Sequence, residues 1–332
     1  MTFPPLFRLV GPSLLALAVS VSAFAEGLTP GSNPIVRDVF SADPAATVVG
    51  NTVYLYVGED LSDTGKSYKM PEWRAYSSTD MRHWVSHGRV LKPTDFRWAR
   101  SSAYASQVIE KHGKFYFYAT AKQRAPYTAM AIGVAVADTP LGPFVDARGT
   151  PLITNDMTPQ GKHDWSDIDP TVFTDDDGTS WLMWGNGNCF IARLKPNMSE
   201  LDGPIEEVKL PNYTEAPWLH KRGDLYYLSY ASWNHDPAID AEDIAYATAP
   251  SVKGPWTFRG EIMGPAKNSN TIHPAIIEFK GQWYFFYHDG SWSIGSQKGN
   301  GYRRAVRVER LYYNSDGTIR PMAQTLEGAT AP

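Results

Sequence analysis

Four residues of this 332-residue chain share a type and a setting that could move protons. Asp43, Asp169 and Glu215 are carboxylates and His273 is an imidazole. Each stands next to or two residues before a proline, and each is followed seven to nine residues later by a glycine, at positions 50, 178, 223 and 281. Carboxylates crowded in a partly desolvated site cannot all ionise freely, so one is held protonated beside another kept ionised. That is the equipment for glycosidic cleavage, in which one carboxyl gives a proton to the leaving oxygen while another activates water. A third carboxylate can orient the acid and tune its proton affinity. Taken singly, Asp-Pro is a common turn opener. The recurrence of one setting at four places is what points to chemistry.

The same phrase supplies the elements that must position these groups. After each glycine comes an aromatic strand: Val53-Tyr54-Leu55-Tyr56, Trp181-Leu182-Met183-Trp184, Tyr226-Tyr227 and Trp283-Tyr284-Phe285. A fifth copy, Ser106-Gln107-Val108-Ile109, leads through His112-Gly113 to Phe115-Tyr116-Phe117-Tyr118 with Ser106 in the polar position. The glycines at 50, 113, 178, 223 and 281 are 45 to 65 residues apart. Units of that size hold about four strands each, and five of them predict a five-bladed β-propeller, all-β and a single domain. Short segments rich in Val, Ile, Tyr, Phe and Trp, bounded by Gly, Pro, Asn and Asp, agree with that class. The first strand of a propeller blade lies along the central channel, so the three carboxylates and His273 are expected to face one another at its mouth. Asp167 rivals Asp169, because strand alternation turns both the same way. The run Asp175-Asp176-Asp177-Gly178 lacks the spacing of a calcium loop and reads as a hairpin turn.

Composition narrows the setting. Arg8 precedes the apolar run Leu14–Val19, and Ala23-Phe24-Ala25 follows as a small-x-small site. This is the pattern of a secretory signal peptide over residues 1–25, with a mature chain, 26–332, beginning at Glu26 and destined for the periplasm or the medium. No other segment suits a membrane span, so no membrane partner is expected of the mature form. Cys189 is the only cysteine, which rules out an internal disulfide and a cysteine-based metal site; it is expected to pack as a small apolar residue. A net charge of −4 without long basic runs argues against nucleic acid. Eleven Trp and eighteen Tyr offer flat platforms for sugars as well as strand-forming residues.

The segments Ala42-Asp43-Pro44, Asp167-Ile168-Asp169-Pro170-Thr171-Val172-Phe173 and Tyr213-Thr214-Glu215-Ala216-Pro217-Trp218 resemble the three signature blocks of glycoside hydrolase family 43. The tail Gly301-Tyr302-Arg303-Arg304-Ala305-Val306 with Leu311-Tyr312-Tyr313 is similar to that family as well. The likeness spans essentially all of the mature chain, and it implies the same five-bladed fold. It implies that Asp43 is the general base, Glu215 the general acid and Asp169 the residue that holds Glu215 and raises its pKa, with inversion at the anomeric carbon. It also implies that His273 helps to hold a calcium ion in the channel, mostly through waters, and that Arg304 contacts the terminal sugar, with Arg303 as its rival for the inward position. Trp73 and Trp218 are expected to bind substrate, the first as a wall of the sugar subsite; Trp233 and Trp292 are further candidates for outer subsites.

The expected activity is therefore an exported hydrolase of plant cell-wall polysaccharide that removes α-L-arabinofuranosyl residues from arabinoxylan or related oligosaccharides. A β-xylosidase or an endo-arabinanase of the same family is the alternative enzyme. A propeller that binds sugar without turnover could dispense with the acid or the base, and a purely structural propeller would have no sugar affinity.

Overall fold

The computed structural model describes Met1, residues 29–233 and residues 239–330. The expected signal peptide lies outside the described residues. Among the described residues, twenty strands build five antiparallel sheets in chain order. The first holds β1 (Ser41–Val49), β2 (Thr52–Glu59), β3 (Trp73–Ser78) and β4 (Val85–Leu91). The second holds β5 (Ala99–Ser101), β6 (Ser106–Lys111), β7 (Lys114–Gln123), β8 (Met130–Ala137) and β9 (Val145–Asp146). The third is β10 (Thr171–Thr174), β11 (Ser180–Trp184), β12 (Cys189–Leu194) and β13 (Glu206–Val208). The fourth is β14 (Tyr213–Arg222), β15 (Leu225–Ser232), β16 (Asp243–Ala249) and β17 (Thr257–Met263), and the fifth is β18 (Ala275–Phe279), β19 (Gln282–Asp289) and β20 (Ala305–Leu311). These sheets are the five blades of a β-propeller, as the repeats predict.

The five anchoring glycines occupy the turns β1–β2, β6–β7, β10–β11, β14–β15 and β18–β19, all with positive φ. A hairpin tip in the left-handed region costs glycine no steric strain, which is why this residue marks each blade. The Asp175–Gly178 run is one of these turns, closed by the Gly178 amide on the Asp175 carbonyl at 2.9 Å.

Between the sheets lie apolar layers built from the alternating inward residues, among them Val53, Leu55, Tyr76 and Phe285 in one layer and Tyr56, Trp73, Phe96 and Phe117 in another. Cys189 is buried in such a layer with Met183, Leu219 and Leu228. The ring closes where the stretch before β1 lies along β20: the Ile35 amide donates to the Val306 carbonyl at 3.0 Å, and Ser41 to Arg304 at 2.8 Å. The Asn33 side chain clamps both polar groups of Val308, at 3.1 and 2.9 Å.

A void of about 20 Å³ on the axis is lined by Asp43-Pro44, Ala105-Ser106, Asp169-Pro170, Ala216-Pro217-Trp218 and His273-Pro274. All five copies of the motif meet there, so equivalent positions do ring the channel.

Candidate active site

The heads of three inner strands depart from the regular pleat. Asp43, Asp169 and Ala216 have φ of 54°, 59° and 53°, and β1 and β14 carry bulges at the same places. Left-handed backbone at residues with a β-carbon is a strained exception that the surrounding structure must hold. Here it aims three carboxylates at one point instead of letting them alternate. It also separates Asp169 from Asp167. The latter is fully buried and held by the Thr158 hydroxyl (2.7 Å) and the Trp184 indole (2.8 Å), away from the cavity.

His273 stands at the centre. Its Nδ1 is 3.4 Å from Oδ1 of Asp43, and its Nε2 is 2.9 Å from Oε1 of Glu215 and 3.8 Å from Oδ2 of Asp169. Burial alone would lower its pKa, but Asp43, Asp169 and Glu215 together raise it to about 10, so the ring is an imidazolium at neutral pH. Burial pushes Asp169 well above the ordinary carboxylate range, against the pull of His273 and with the push of Glu215 and Asp43. Glu215 goes the other way. Burial would raise it, yet the hydrogen bond and charge of His273, the Asn186 amide at 2.5 Å and the Arg304 charge hold it below its usual value. The structure thus places the raised carboxyl at Asp169, whereas the resemblance implies it at Glu215. Asp169 meets the neighbouring peptide: its Oδ2 accepts from the Ala216 amide at 3.2 Å.

A second histidine, unnoticed in the sequence, orients Asp43. His288 Nδ1 accepts from the Asp43 amide at 3.1 Å, and Nε2 faces the Thr271 carbonyl at 3.1 Å. That pattern requires the neutral ring with its proton on Nε2. Burial, Arg304 and His273 keep its pKa far down.

Arg304, and not Arg303, turns inward. Its Nε and Nη2 grip Asp60 at 2.8 and 3.0 Å, and its Nη1 donates to Asp43 Oδ1 at 3.1 Å. Its guanidinium also lies 5.0 Å from the centre of the Tyr68 ring. Arg303 instead bonds the carbonyls of Ser62 and Asp63.

Above these groups opens a cavity of about 320 Å³, lined by Asp43, Asp169, Glu215, His273 and Arg304 and walled by Tyr68, Tyr104 and Trp165. Two expectations about its walls are corrected. Trp73 has no exposed surface; it packs among Phe96 and Phe117 and gives its indole N–H to the Tyr104 carbonyl at 2.7 Å. On β3 it falls on the face toward the neighbouring sheet. Trp218 is 6% exposed, donates to the Ile276 carbonyl at 2.9 Å and borders the axial void beneath the site. Neither lines the cavity, and neither do Trp233 or Trp292. The exposed platform is Trp165, 51% accessible and stacked on His163 with ring centres 4.4 Å apart. Sequence reasoning also missed Asp60, Asn186 and His288, which belong to no repeat; His288, a titratable residue after the run Phe285-Phe286-Tyr287, carried the one local signal, and Asp60 and Asn186 carried none.

Among the described residues one group, Asp169, Glu215 and His273, could gather ligand atoms within 4.8 Å of one another. Calcium takes six to eight oxygens. This group offers two carboxylates and a nitrogen whose proton already serves Glu215, so it does not fit a directly bound calcium ion. The axial void below has room for about one water, which would meet the buried Ser106 hydroxyl that lacks a partner.

The sequence profile of glycosyl hydrolases family 43 matches residues 32–319. A xylosidase/arabinosidase of Bacteroides ovatus is 31% identical over 334 residues, 86% of this chain and 95% of that protein. An arabinoxylan arabinofuranohydrolase of Bacillus subtilis is 29% identical, covering 96% of this chain and 70% of that one. A β-xylosidase/α-arabinofuranosidase from a compost microbial metagenome, solved with xylotriose in a calcium-free form, superposes with a TM-score of 0.75 at 28% identity, over 89% of this chain and 98% of the other.

Proposed function

The chain belongs to glycosyl hydrolase family 43 and is a glycosidase, and from that premise we propose that it removes terminal α-L-arabinofuranosyl residues from arabinoxylan or xylo-oligosaccharides with inversion of configuration. The observation that carries the mechanism is the position of His273, between the carboxylates of Asp43 and Glu215 and touching both. Two carboxylates on opposite sides of one ring, each with its own partners, suit the separate roles that a single displacement needs, one acting on water and one on the leaving oxygen.

Asp43 acts as the general base. Arg304 and the His288 ring fix its orientation, and it draws a proton from the water that attacks the anomeric carbon. Glu215 acts as the general acid and protonates the leaving glycosidic oxygen as that bond breaks. The proton is at hand on Nε2 of His273, one hydrogen bond from Oε1. Asp169 fixes the backbone beside Glu215 by accepting from the Ala216 amide. No step runs through a metal.

The relatives named xylosidase/arabinosidase and the neighbour bound to xylotriose support β-D-xylosyl as a second substrate. A cavity of this size, closed by Tyr68 and Tyr104, suits one terminal sugar. The amino-terminal pattern supports export, to the periplasm or the medium, with residues 26–332 as the mature catalytic domain; amino-terminal sequencing of the secreted protein should read from Glu26.

The deciding experiment is sugar release from arabinoxylan and from xylobiose, with Asp43→Asn as control and proton NMR of the first-formed anomer. Arabinose from the first substrate, formed with inversion and lost in the control, establishes the reading. Xylose alone moves it to a β-xylosidase, and a retained anomer removes the single-displacement mechanism.

A further inference from the structure

Beside the catalytic pocket the chain leaves positive charge without carboxylate partners. β5 pairs with the far end of β7, setting Ser101 opposite Lys122 and Ala99 opposite Gln123. Arg100 on β5, Lys122 on β7 and Arg124 just past the end of β7 therefore gather at one edge of this sheet. Among the described residues none of the three is ion-paired. Arg100 and Arg124 each give Nε to a neutral carbonyl, of Gln123 and Arg97, both at 3.0 Å. In a chain of net charge −4 this is a local feature and not a general basicity.

The edge borders a second cavity of about 400 Å³, walled by Arg100, Pro71, Pro93, Thr94 and Ser101. Tyr68, Met70 and Ser102 line both this cavity and the catalytic pocket. Ser102, with φ of 68°, turns the chain at the partition between them. Lys69 also lines the second cavity, but Asp63 neutralises it at 2.7 Å. Asp164, on the catalytic side with Lys122, accepts from the Thr128 hydroxyl at 3.2 Å. Arg100 is left as the second cavity's uncompensated cation. The apolar walls of Pro71, Pro93 and Met70, the hydroxyls of Thr94, Ser101 and Ser102 and a guanidinium match a sugar ring bearing a carboxylate, which a guanidinium can receive in a two-pronged bond.

Resting on the reading of the substrate as a hemicellulose, we propose that this cavity is a subsite for a uronic acid residue carried by the polysaccharide near the bond to be cut. Arg100 receives its carboxylate, and Lys122 adds to the positive field from across the partition. The enzyme would thereby favour acidic, uronosyl-substituted xylan over neutral xylan.

The test is calorimetric binding of xylotriose and of xylotriose with a glucuronosyl branch to Asp43→Asn, which stops turnover, and to Asp43→Asn/Arg100→Gln. The branched sugar should bind the first protein roughly tenfold more tightly, as one charge-assisted hydrogen bond allows. The ratio should fall to about one in the second and shrink at high salt. Equal affinities in the first protein overturn the proposal, as does an advantage that survives both the substitution and salt. Inorganic phosphate competing as well as the uronosyl branch would reduce the site to a general anion patch and overturn the sugar assignment. Sugar release by wild type from neutral arabinoxylan separates the cases: release without a uronosyl advantage removes the subsite alone, and no release together with no binding of either sugar removes the substrate reading with it.

Discussion

Nη1 of Arg304 lies 3.1 Å from Oδ1 of Asp43, while the other two nitrogens of the same guanidinium are locked on Asp60. Asp60 thus fixes the arginine, and the arginine fixes the proposed base. Replacing Asp60 with Asn leaves a buried guanidinium half-paired, and breaking one partner of a buried ion pair costs about 3–5 kcal/mol. The expected result is a clear drop in unfolding free energy by denaturant titration. Activity should fall with it, and it should not return on conditions that restore only the fold, because Asp43 has lost its orienting partner.

Glu215→Gln should cut hydrolysis of natural oligosaccharides by roughly 10²–10⁴-fold, the usual range for a lost general acid. Aryl glycosides, whose leaving groups need no proton, should lose far less. Asp43→Asn should depress both substrate types alike, since water activation is needed in either case. Comparing the two substrates across the two variants checks the assignment, and an equal loss for Glu215→Gln on both would remove it from the acid role.

The same Glu215→Gln change should be visible in the His273 ring. With its carboxylate partner gone the imidazolium loses its strongest hydrogen bond, and its pKa should drop from about 10 toward the ordinary 6.5. Histidine ring signals in heteronuclear NMR, followed from pH 5 to 10, read this directly. A wild-type ring that titrates near 6.5 would contradict the charge arrangement described above.

Stability should follow. A histidine whose folded pKa exceeds its unfolded value stabilises fully below pH 6.5, and the gain is lost as pH rises through about 10. Asp169, also raised, contributes below its ordinary range and loses that contribution as pH climbs through its raised value. Thermal midpoints measured between pH 6.5 and 10 should therefore fall more in the wild type than in Glu215→Gln.

Trp73 and Trp165 should exchange the roles that composition suggests. Trp73→Ala empties a filled position between sheets and should cost about 3–5 kcal/mol. Trp165→Ala, at a half-exposed position, should leave the thermal midpoint nearly unchanged while raising KM for oligosaccharides.

The blades and the central ring of polar residues were legible because one local phrase recurs five times, and a repeat reports its own geometry. Asp43, Asp169, Glu215 and His273 do converge, as their common distance from a hairpin glycine predicts. What recurrence could not convey is direction. Whether Trp73 faces a pocket or a neighbouring sheet depends on packing between blades, and its indole is satisfied by a carbonyl 31 residues away. The left-handed turns at Asp43 and Asp169 override the strand alternation from which side-chain direction is read. Asp60 and Arg304, 244 residues apart, meet only once the ring has closed, so no stretch of sequence records their pairing. Arg304 came to notice by resemblance, and Asp60 by nothing.

The closure of the first blade on the last has a consequence for the order in which the enzyme is made. Asp43 and Asp60 lie near the beginning of the chain, and Arg304 near its end, beside the backbone bonds from Ser41 to Arg304 and from Ile35 to Val306. A chain that leaves the ribosome amino end first displays Asp43, the proposed base, before the arginine that aims it has been made. Four finished blades would be an unsealed arc with no working centre. Hydrolysis therefore waits for the fifth blade, which brings Arg304 to Asp43 and Asp60.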